Sequence, residues 1–215
     1  MKIPIKTLSL KIVQTMFLLA IFTLPAQATL IERDWSMPSD AALTYDSATG
    51  LEWLDITLTA NLSYNEVTAE LGAGGAYEGF EFASQQQVLS LFFAAGLPEE
   101  IPNVPEFLGG GPEIQSLLNL WGVTWDLGTG DRTEFLTSNT NGLVSGEHWA
   151  GRMFWLEVGD TGVTSEYMAR SDDYKNLTIG SALVRTASPV PVPAALWLFA
   201  SGLLGLVGIT RHRRL

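Results

Sequence analysis

The chain of 215 residues contains no cysteine. Disulfide bonds, cysteine-based metal sites and thiol nucleophiles are therefore excluded. A folded domain of this chain must be held together by an apolar core. The segment between its two hydrophobic ends, residues 29–187, is about one domain long and can bury such a core.

Basic residues are scarce in this central segment. It holds six positive and 23 negative side chains, a formal net charge of −17. The six basic residues are Arg33, Arg132, Arg152, Arg170, Lys175 and Arg185. This charge excludes nucleic acid as a partner, because phosphates bind to basic surfaces. It also disfavours docking on anionic lipid, and favours solubility, divalent cations or cationic partners.

Histidine is almost absent, since His148 is the one histidine outside the C-terminal tail. A lone histidine beside an aromatic residue is more often structural than catalytic. Ser145 is close in sequence, but its surroundings do not form the Gly-x-Ser-x-Gly motif of a hydrolase. Acid pairs such as Glu99–Glu100 and Asp172–Asp173 arise easily among so many acids, so the sequence favours a protein without enzymatic activity.

Residues 1–28 are typical of a secretory signal peptide. A basic region with three lysines precedes an apolar stretch at residues 12–24, and Ala26 and Ala28 form a small-x-small cleavage site. Cleavage after Ala28 would make Thr29 the first residue of the mature chain. The alternatives are a short buried helix or a retained anchor.

A second hydrophobic segment, residues 194–210, is followed directly by Arg211, Arg213 and Arg214. Its apolar part is about 24 Å long as a helix, which spans a bilayer when the arginines snorkel. The positive-inside rule puts these arginines in the cytoplasm and the acidic segment outside. The lack of a polar face disfavours a core helix. An ordinary single-span anchor remains an alternative, and a glycolipid-anchor signal would not need the arginines.

Three features occur in fixed order within residues 188–215. They are the box formed by Val190, Pro191, Val192 and Pro193, an apolar helix containing Ser-Gly-Leu-Leu-Gly-Leu, and an arginine-rich end. Together they resemble the PEP-CTERM sorting signal, although Val192 stands where the name-giving motif has Glu. The prolines keep the box extended and stop the helix from propagating back.

The PEP-CTERM resemblance implies a processing enzyme and a location. The enzyme would be an exosortase, a membrane-embedded enzyme of Gram-negative bacteria that make exopolysaccharide, which would recognise Pro191 and Pro193. The chain would cross the inner membrane and be anchored with its acidic domain outside. After processing it would be a cell-surface or extracellular protein associated with exopolysaccharide or biofilm.

Local signals in the first half of the acidic domain predict helices. Ser63 with Glu66 and Ser84 with Gln87 are capping boxes, and Gly72 is the expected end of the first helix. Pro112 and Glu113 predict the start of a third helix that ends before Gly122. Before these helices, residues 42–56 are typical of a strand, a turn and a strand.

From Trp121 onward the sequence favours strands. Short β-type runs occupy residues 121–127, 132–138, 148–158, 164–170 and 177–187. Turn signals at residues 128–131 and 159–162 separate them and indicate an antiparallel meander. The predicted fold class is therefore α+β, in one exported domain.

The domain also carries a family pattern. Gly50-Leu-Glu-Trp-Leu-Asp55 is followed by a helix and then by Gly79-Phe-Glu-Phe-Ala-Ser84 before a second helix. This order resembles domains of PEP-CTERM proteins and, more distantly, the Lcl-like family, which is similar to C-type-lectin-like folds. Glu81 and Gln87 replace an Arg and a Glu of the pattern, so a salt bridge between these positions is absent. The resemblance implies a fold but no activity.

Two features suggest a ligand. Asp126, Asp131 and Glu134 surround glycines, and hard cations such as calcium take oxygen ligands from such loops, although the spacing is not that of an EF-hand and an ordinary acidic hairpin is the alternative. Tryptophans are abundant, at positions 53, 121, 125, 149 and 155. Exposed tryptophans would suit stacking on sugar rings, and hence a carbohydrate-binding module of the exopolysaccharide matrix, whereas buried ones are core.

Overall fold

The computed structural model describes residues 29–98, 107–108, 111–157, 159 and 161–188. The predicted cleavage residues Ala26 and Ala28, the proline box 190–193, the hydrophobic segment 194–210 and the three terminal arginines lie outside these ranges. Among the helices of the described ranges, none is long and apolar enough to cross a membrane.

Sheet 1 combines the beginning of the domain with its end. β1 (Leu30–Arg33), β2 (Leu43–Asp46) and β3 (Leu51–Leu54) form an antiparallel meander. The last strand, β11 (Leu183–Thr186), lies between β3 and the two-residue β4 (Glu81–Phe82). In the strand order β1-β2-β3-β11-β4, the final strand joins the meander at the beginning of the domain to β4.

In the described residues, three α-helices follow the order that the sequence predicts. They are α1 (Tyr64–Ala69), α2 (Gln85–Ala94) and α3 (Gly111–Trp121). Both predicted capping boxes are present, at Ser63 and at Ser84. A short 3-10 helix (Ile56–Thr59) connects β3 to the segment before α1. Helices and strands together confirm the α+β class.

The predicted end of α1 at Gly72 is wrong. The helix ends at Ala69 and is capped by Glu70, whose backbone is still helical. The loop that follows folds back on this residue, because the amide of Tyr77 donates to the Glu70 carbonyl at 2.9 Å and the amide of Ala76 to its carboxylate at 2.9 Å. The first of these bonds satisfies the backbone carbonyl of the C-cap residue without a left-handed glycine, and the second fixes the loop to the same residue.

Sheet 2 contains the predicted meander. β7 (Gly130–Leu136), β8 (Glu147–Leu156) and β9 (Thr161–Ser171) pair antiparallel in sequence. β5 (Phe107–Leu108) pairs with β9, and β6 (Trp125–Asp126) pairs with β7. β10 (Ile179–Ser181) pairs in parallel with β7 along the edge that does not face β8. The sequence does not predict this parallel pairing.

Two predicted strands are corrected by the structure. Trp121 is the last residue of α3 and not part of a strand, because its buried ring packs edge-on against Trp53 at a centroid distance of 5.3 Å. The predicted strand 177–187 is two strands in different sheets. They are separated by Ala182, whose amide donates to Leu136 in sheet 2 and whose carbonyl accepts from Ala83 beside sheet 1.

Apolar side chains cover both faces of sheet 1. Trp53 and Val184 belong to a core shared with α2, α3 and the inner face of sheet 2, where Phe135 and Met153 are fully buried. The other face belongs to a second core, which includes Leu43, Leu54, Val67, Tyr77, Phe80, Phe82 and Leu183. Two contiguous apolar clusters thus stabilise this domain, which has no disulfide bond.

Two buried carboxylates lie within sheet 1, Asp46 and Glu52, and arginines contact the second of them. Glu52 is 6% exposed and accepts from Arg33 on β1 at 3.0 Å and from Arg185 on β11 at 2.9 Å. The guanidinium of Arg33 also lies 3.5 Å from the centre of the Tyr45 ring. Two arginines therefore compensate the charge of Glu52.

A substitution of Gly180 on β10 tests how closely the 3-10 helix packs against sheet 2. A Cβ at this position would overlap with the carbonyl oxygen of Ile56, a backbone atom that cannot rotate away. We expect Gly180→Ala to lower the free energy of unfolding by about 1–3 kcal/mol, as overpacked cores do. Chemical denaturation of the purified chain measures this change.

Gly72→Ala is the matched control, because Gly72 is exposed and a Cβ there meets nothing within 4 Å. Its free energy of unfolding should stay within about 0.5 kcal/mol of the parent. Equal stability of the two variants would contradict this packing of β10.

Candidate functional site

A polar cleft opens where α2 begins and where the chain leaves β7. It has a volume of about 320 Å³ and is lined by residues 84–86 on one side and residues 138–141 on the other. All seven lining residues are serine, threonine, asparagine or glutamine. The cleft is therefore rich in hydrogen-bonding groups and carries no formal charge on its lining side chains.

Backbone hydrogen bonds join the two walls of the cleft. The Ser138 amide donates to the Ala83 carbonyl at 2.9 Å, and the Ser138 hydroxyl donates to the same oxygen at 3.2 Å. On the helix side, the side-chain oxygen of Gln87 accepts from both the amide and the hydroxyl of Ser84. Ser84 is thus held by the capping box, which the sequence predicts.

The floor of the cleft is tied to β8 and β9. The Asn139 side-chain amide donates to the Glu166 carboxylate, and the Gln85 side-chain amide donates to the Ser165 hydroxyl at 3.3 Å. On β8, the Trp149 indole donates to the Asn141 carbonyl at 2.9 Å. These bonds hold the segment after β7 in one conformation although it belongs to no strand.

An irregularity in β9 brings Ser165 and Glu166 to the cleft. Ala150 pairs with Met168 and Arg152 with Thr164, so β9 has two more residues than β8 between these pairs. We refer to residues 165–167 as the β9 bulge. A bulge changes the direction of side chains relative to the regular alternation of a strand. Here Glu166 contacts the cleft residue Asn139, and Tyr167 contacts an arginine cluster.

The arginine cluster lies on the face of sheet 2 opposite α2 and α3. Arg132 on β7, Arg152 on β8 and Arg170 on β9 lie near Glu134, which is 5% exposed. Arg132 forms an ion pair with Glu134, Arg170 lies 3.5 Å from the second oxygen of that carboxylate, and Arg152 is its cross-strand neighbour.

Aromatic rings surround the same arginines. The guanidinium carbons of Arg152 and Arg132 lie 3.9 Å and 5.9 Å from the centre of the Tyr167 ring. Arg132 also lies 5.0 Å from Trp125. Arg152 lies 5.1 Å from Phe154, and Arg170 lies 4.6 Å from Tyr174. These distances are typical of cation–π contacts.

His148 contacts a carboxylate and a phenol. Its Nδ1 lies 2.6 Å from an Asp172 carboxylate oxygen, and its ring stacks on Tyr64 at 3.6 Å. Burial raises the pKa of the Tyr64 phenol, and the negative charge of Asp172 raises that pKa further. Ser145 is exposed. The structure therefore brings a carboxylate and a phenol to the imidazole, and its contacts link β8 to α1.

The three predicted calcium ligands do not form one group. Asp126 and Asp131 are cross-strand partners on β6 and β7, and Asp126 accepts from the Gly128 amide at 2.7 Å. Glu134 lies on the other face of β7, where the arginines hold it. In the part of the chain that is described, three or more acidic or histidine side chains nowhere gather in a way that could hold a metal ion.

The tryptophans divide between core and surface. Trp53 and Trp121 are fully buried in the core. Trp149 and Trp155 are half-buried, and Trp125 is 41% exposed beside the arginine cluster. Of these five tryptophans, only Trp125 is exposed, which is the condition for stacking on a sugar ring.

Neither the cleft nor the arginine cluster is evident from the sequence. The residues of the cleft are uncharged and separated by about fifty positions, so no local motif marks it. The local sequence shows only that Arg132 and Glu134 are two residues apart, which places them on the same face of a strand.

Comparison with known proteins finds no protein-family model, no curated protein and no solved structure that matches this chain. The fold and the residues of the cleft and the cluster are therefore the basis for assigning a function.

Proposed function

We propose that the chain is an exported surface or matrix protein of a Gram-negative bacterium. In this proposal the signal peptide is removed after Ala28, residues 194–210 anchor the domain outside the inner membrane, and an exosortase-type enzyme processes the chain near residues 190–193. The folded domain is the part that is delivered. Its likeness to C-type-lectin-like folds belongs to the same proposal.

The observation that carries this proposal is where the domain begins and ends. The Thr29 amide donates to the Ser47 hydroxyl at 2.9 Å, and the Ala187 amide donates to the Gly50 carbonyl at 2.9 Å. Both ends of the domain therefore lie at the turn between β2 and β3. Cleavage after Ala28 and cleavage at the proline box would each remove none of the described strands.

The processing step is tested by the intact mass of protein recovered outside the producing cells. We expect a form that begins at Thr29 and lacks Trp197 through Arg214. A double variant, Pro191→Ala with Pro193→Ala, should accumulate in the membrane fraction, because the helix would extend through the box.

Pro98→Ala is the control, since Pro98 is exposed in the loop after α2 and lies outside the box. It should be processed like the parent chain. Extracellular protein that still carries Trp197 through Arg214 would contradict processing and leave an ordinary single-span anchor.

The cleft favours a second candidate function, carbohydrate binding within the exopolysaccharide matrix. A sugar hydroxyl both donates and accepts hydrogen bonds, and amide and hydroxyl side chains offer both roles without a charge. Small-molecule sites use a few such groups fixed in position by the scaffold. Here Asn139 and the Asn141 carbonyl are fixed by Glu166 and Trp149.

The position of the cleft suits a tethered protein. β11 runs from Leu183, next to the cleft residues, to Thr186, next to the chain ends. Four strand residues span about 13 Å. The cleft and the two ends of the domain consequently lie at opposite ends of this strand, and the cleft would face away from the membrane.

Carbohydrate binding by the cleft is tested with a glycan array and the full-length chain in neutral detergent. Gln86 and Thr140 are exposed on opposite walls. We expect the double variant Gln86→Ala with Thr140→Ala to lose about 30-fold in affinity for any neutral oligosaccharide that binds, because each of the two lost bonds contributes about 1 kcal/mol.

Gln115→Ala, on α3 and away from the cleft, is the matched control for a lost glutamine amide. Unchanged affinity in the double variant, or no neutral oligosaccharide bound by the parent chain, would argue against the cleft as a sugar site.

A further inference from the structure

Asn141 and Gly142 are the central residues of a turn at the rim of the cleft. The Leu143 amide donates to the Thr140 carbonyl at 3.1 Å, which closes a four-residue turn. Gly142 has a φ of 76°, a left-handed value that glycine adopts without strain. Both central residues are exposed, and Asn141 lines the cleft. The turn therefore presents an asparagine followed by a glycine to solvent, directly beside the cleft.

Asn141 differs from the other asparagines of the chain in the residue that follows it. The sequence contains seven asparagines, and Asn141 is the one that precedes a glycine. Glycine has no side chain that could shield its own amide nitrogen. The rest of the fold does not crowd this position either, because a Cβ at Gly142 would meet nothing within 4 Å. The Gly142 nitrogen can consequently approach the Asn141 side chain without steric hindrance.

We propose that Asn141–Gly142 is a site of spontaneous deamidation, which changes the cleft from neutral to anionic. The Gly142 amide nitrogen loses its proton and attacks the side-chain carbonyl carbon of Asn141. A new C–N bond forms, the bond to the side-chain nitrogen breaks, and ammonia leaves with a proton. Water then opens the resulting succinimide ring at either carbonyl, which gives aspartate or isoaspartate. The reaction consumes one water, releases one ammonia and needs no oxidant or reductant.

Both products change contacts that hold the cleft. The Asn141 carbonyl accepts from the Trp149 indole, and the Asn141 amide donates to the Asn139 side-chain oxygen. In isoaspartate this carbonyl becomes a free carboxylate, and the backbone of the turn lengthens because it passes through the former side chain. Either product adds a carboxylate to a lining without formal charge. The new charge lies near Glu166, which accepts from the same Asn139 side chain, and like charges repel.

Asn139 has the opposite surroundings and is an internal control for the reaction. It is 7% exposed, and its side-chain amide donates to the Glu166 carboxylate. The residue that follows it, Thr140, is β-branched and shields the nitrogen that would have to attack. Asn139 should therefore stay intact although it lies only two positions before Asn141.

The test is peptide mass spectrometry of the full-length chain, in neutral detergent, after prolonged incubation in mildly alkaline buffer. Trypsin releases residues 133–152 as one peptide that contains both asparagines. We expect the mass gain of deamidation at Asn141 and labelling of the product by protein isoaspartate methyltransferase. Asn139 should show neither. A synthetic peptide of residues 133–152, incubated in parallel, shows when the same sequence without the fold has fully converted.

Asn141→Gln is the blocking variant, because its longer side chain closes a ring much more slowly. This chain should keep its mass under the same incubation. Asn119→Gln is the matched control, since Asn119 is exposed on α3 and precedes a leucine. It should deamidate at Asn141 like the parent chain. An intact Asn141 in the parent after the synthetic peptide has fully converted would overturn the proposal. Equal conversion of Asn139 would also contradict it, because the loop would then react in an unfolded state.

The change in the cleft is measured on the deamidated chain after its separation by ion-exchange chromatography. Hydrogen exchange at residues 138–141 should be about tenfold faster than in the parent, because bonds to Trp149 and Asn139 are lost. Unchanged exchange there would show that the modification leaves the cleft intact and would contradict this part of the inference. Neither measurement depends on which ligand the cleft binds or on processing of the chain ends.

Discussion

The structure depends on one fully buried residue, Ala182, at which the chain passes from sheet 2 to sheet 1. Its amide completes the hydrogen bonding of β7, and its carbonyl accepts from Ala83 just before the cleft. The strand before it runs parallel to β7, and the strand after it fills the gap between β3 and β4. The two sheets and the cleft are therefore fixed relative to one another by the last strand pair of the chain, without a disulfide bond.

Arginine has a second organising role. In the central segment of the chain, five of the six basic residues are arginines, and all five lie close to Glu52 or Glu134. A buried carboxylate is costly unless it is paired and hydrogen-bonded. The bridge around Glu52 lies between strands of sheet 1 and holds its first and last strands together. The bridge around Glu134 lies on the face of sheet 2 that the exposed ring of Trp125 borders.

Local signals allowed accurate prediction of some elements and not of others. Ser63 and Ser84 define helix starts because the capping bonds involve residues only three positions apart. The turn at Gly50 and the meander of sheet 2 have equally local signatures. The strands β4, β5 and β10 do not, because each has two or three residues and exists through pairing with a distant partner. The contact between His148 and Asp172 is non-local for the same reason.

The central proposal is that the delivered domain binds glycan at the cleft, at the end of β11 away from the chain ends. Hydrogen exchange of the full-length chain, with and without purified exopolysaccharide from the producing bacterium, tests it most directly, since bound regions exchange more slowly. The account predicts slower exchange at residues 84–86, 138–141 and 165–167, and no change at the turn formed by residues 47–50. Slower exchange at that turn, or no change in any region, would contradict it.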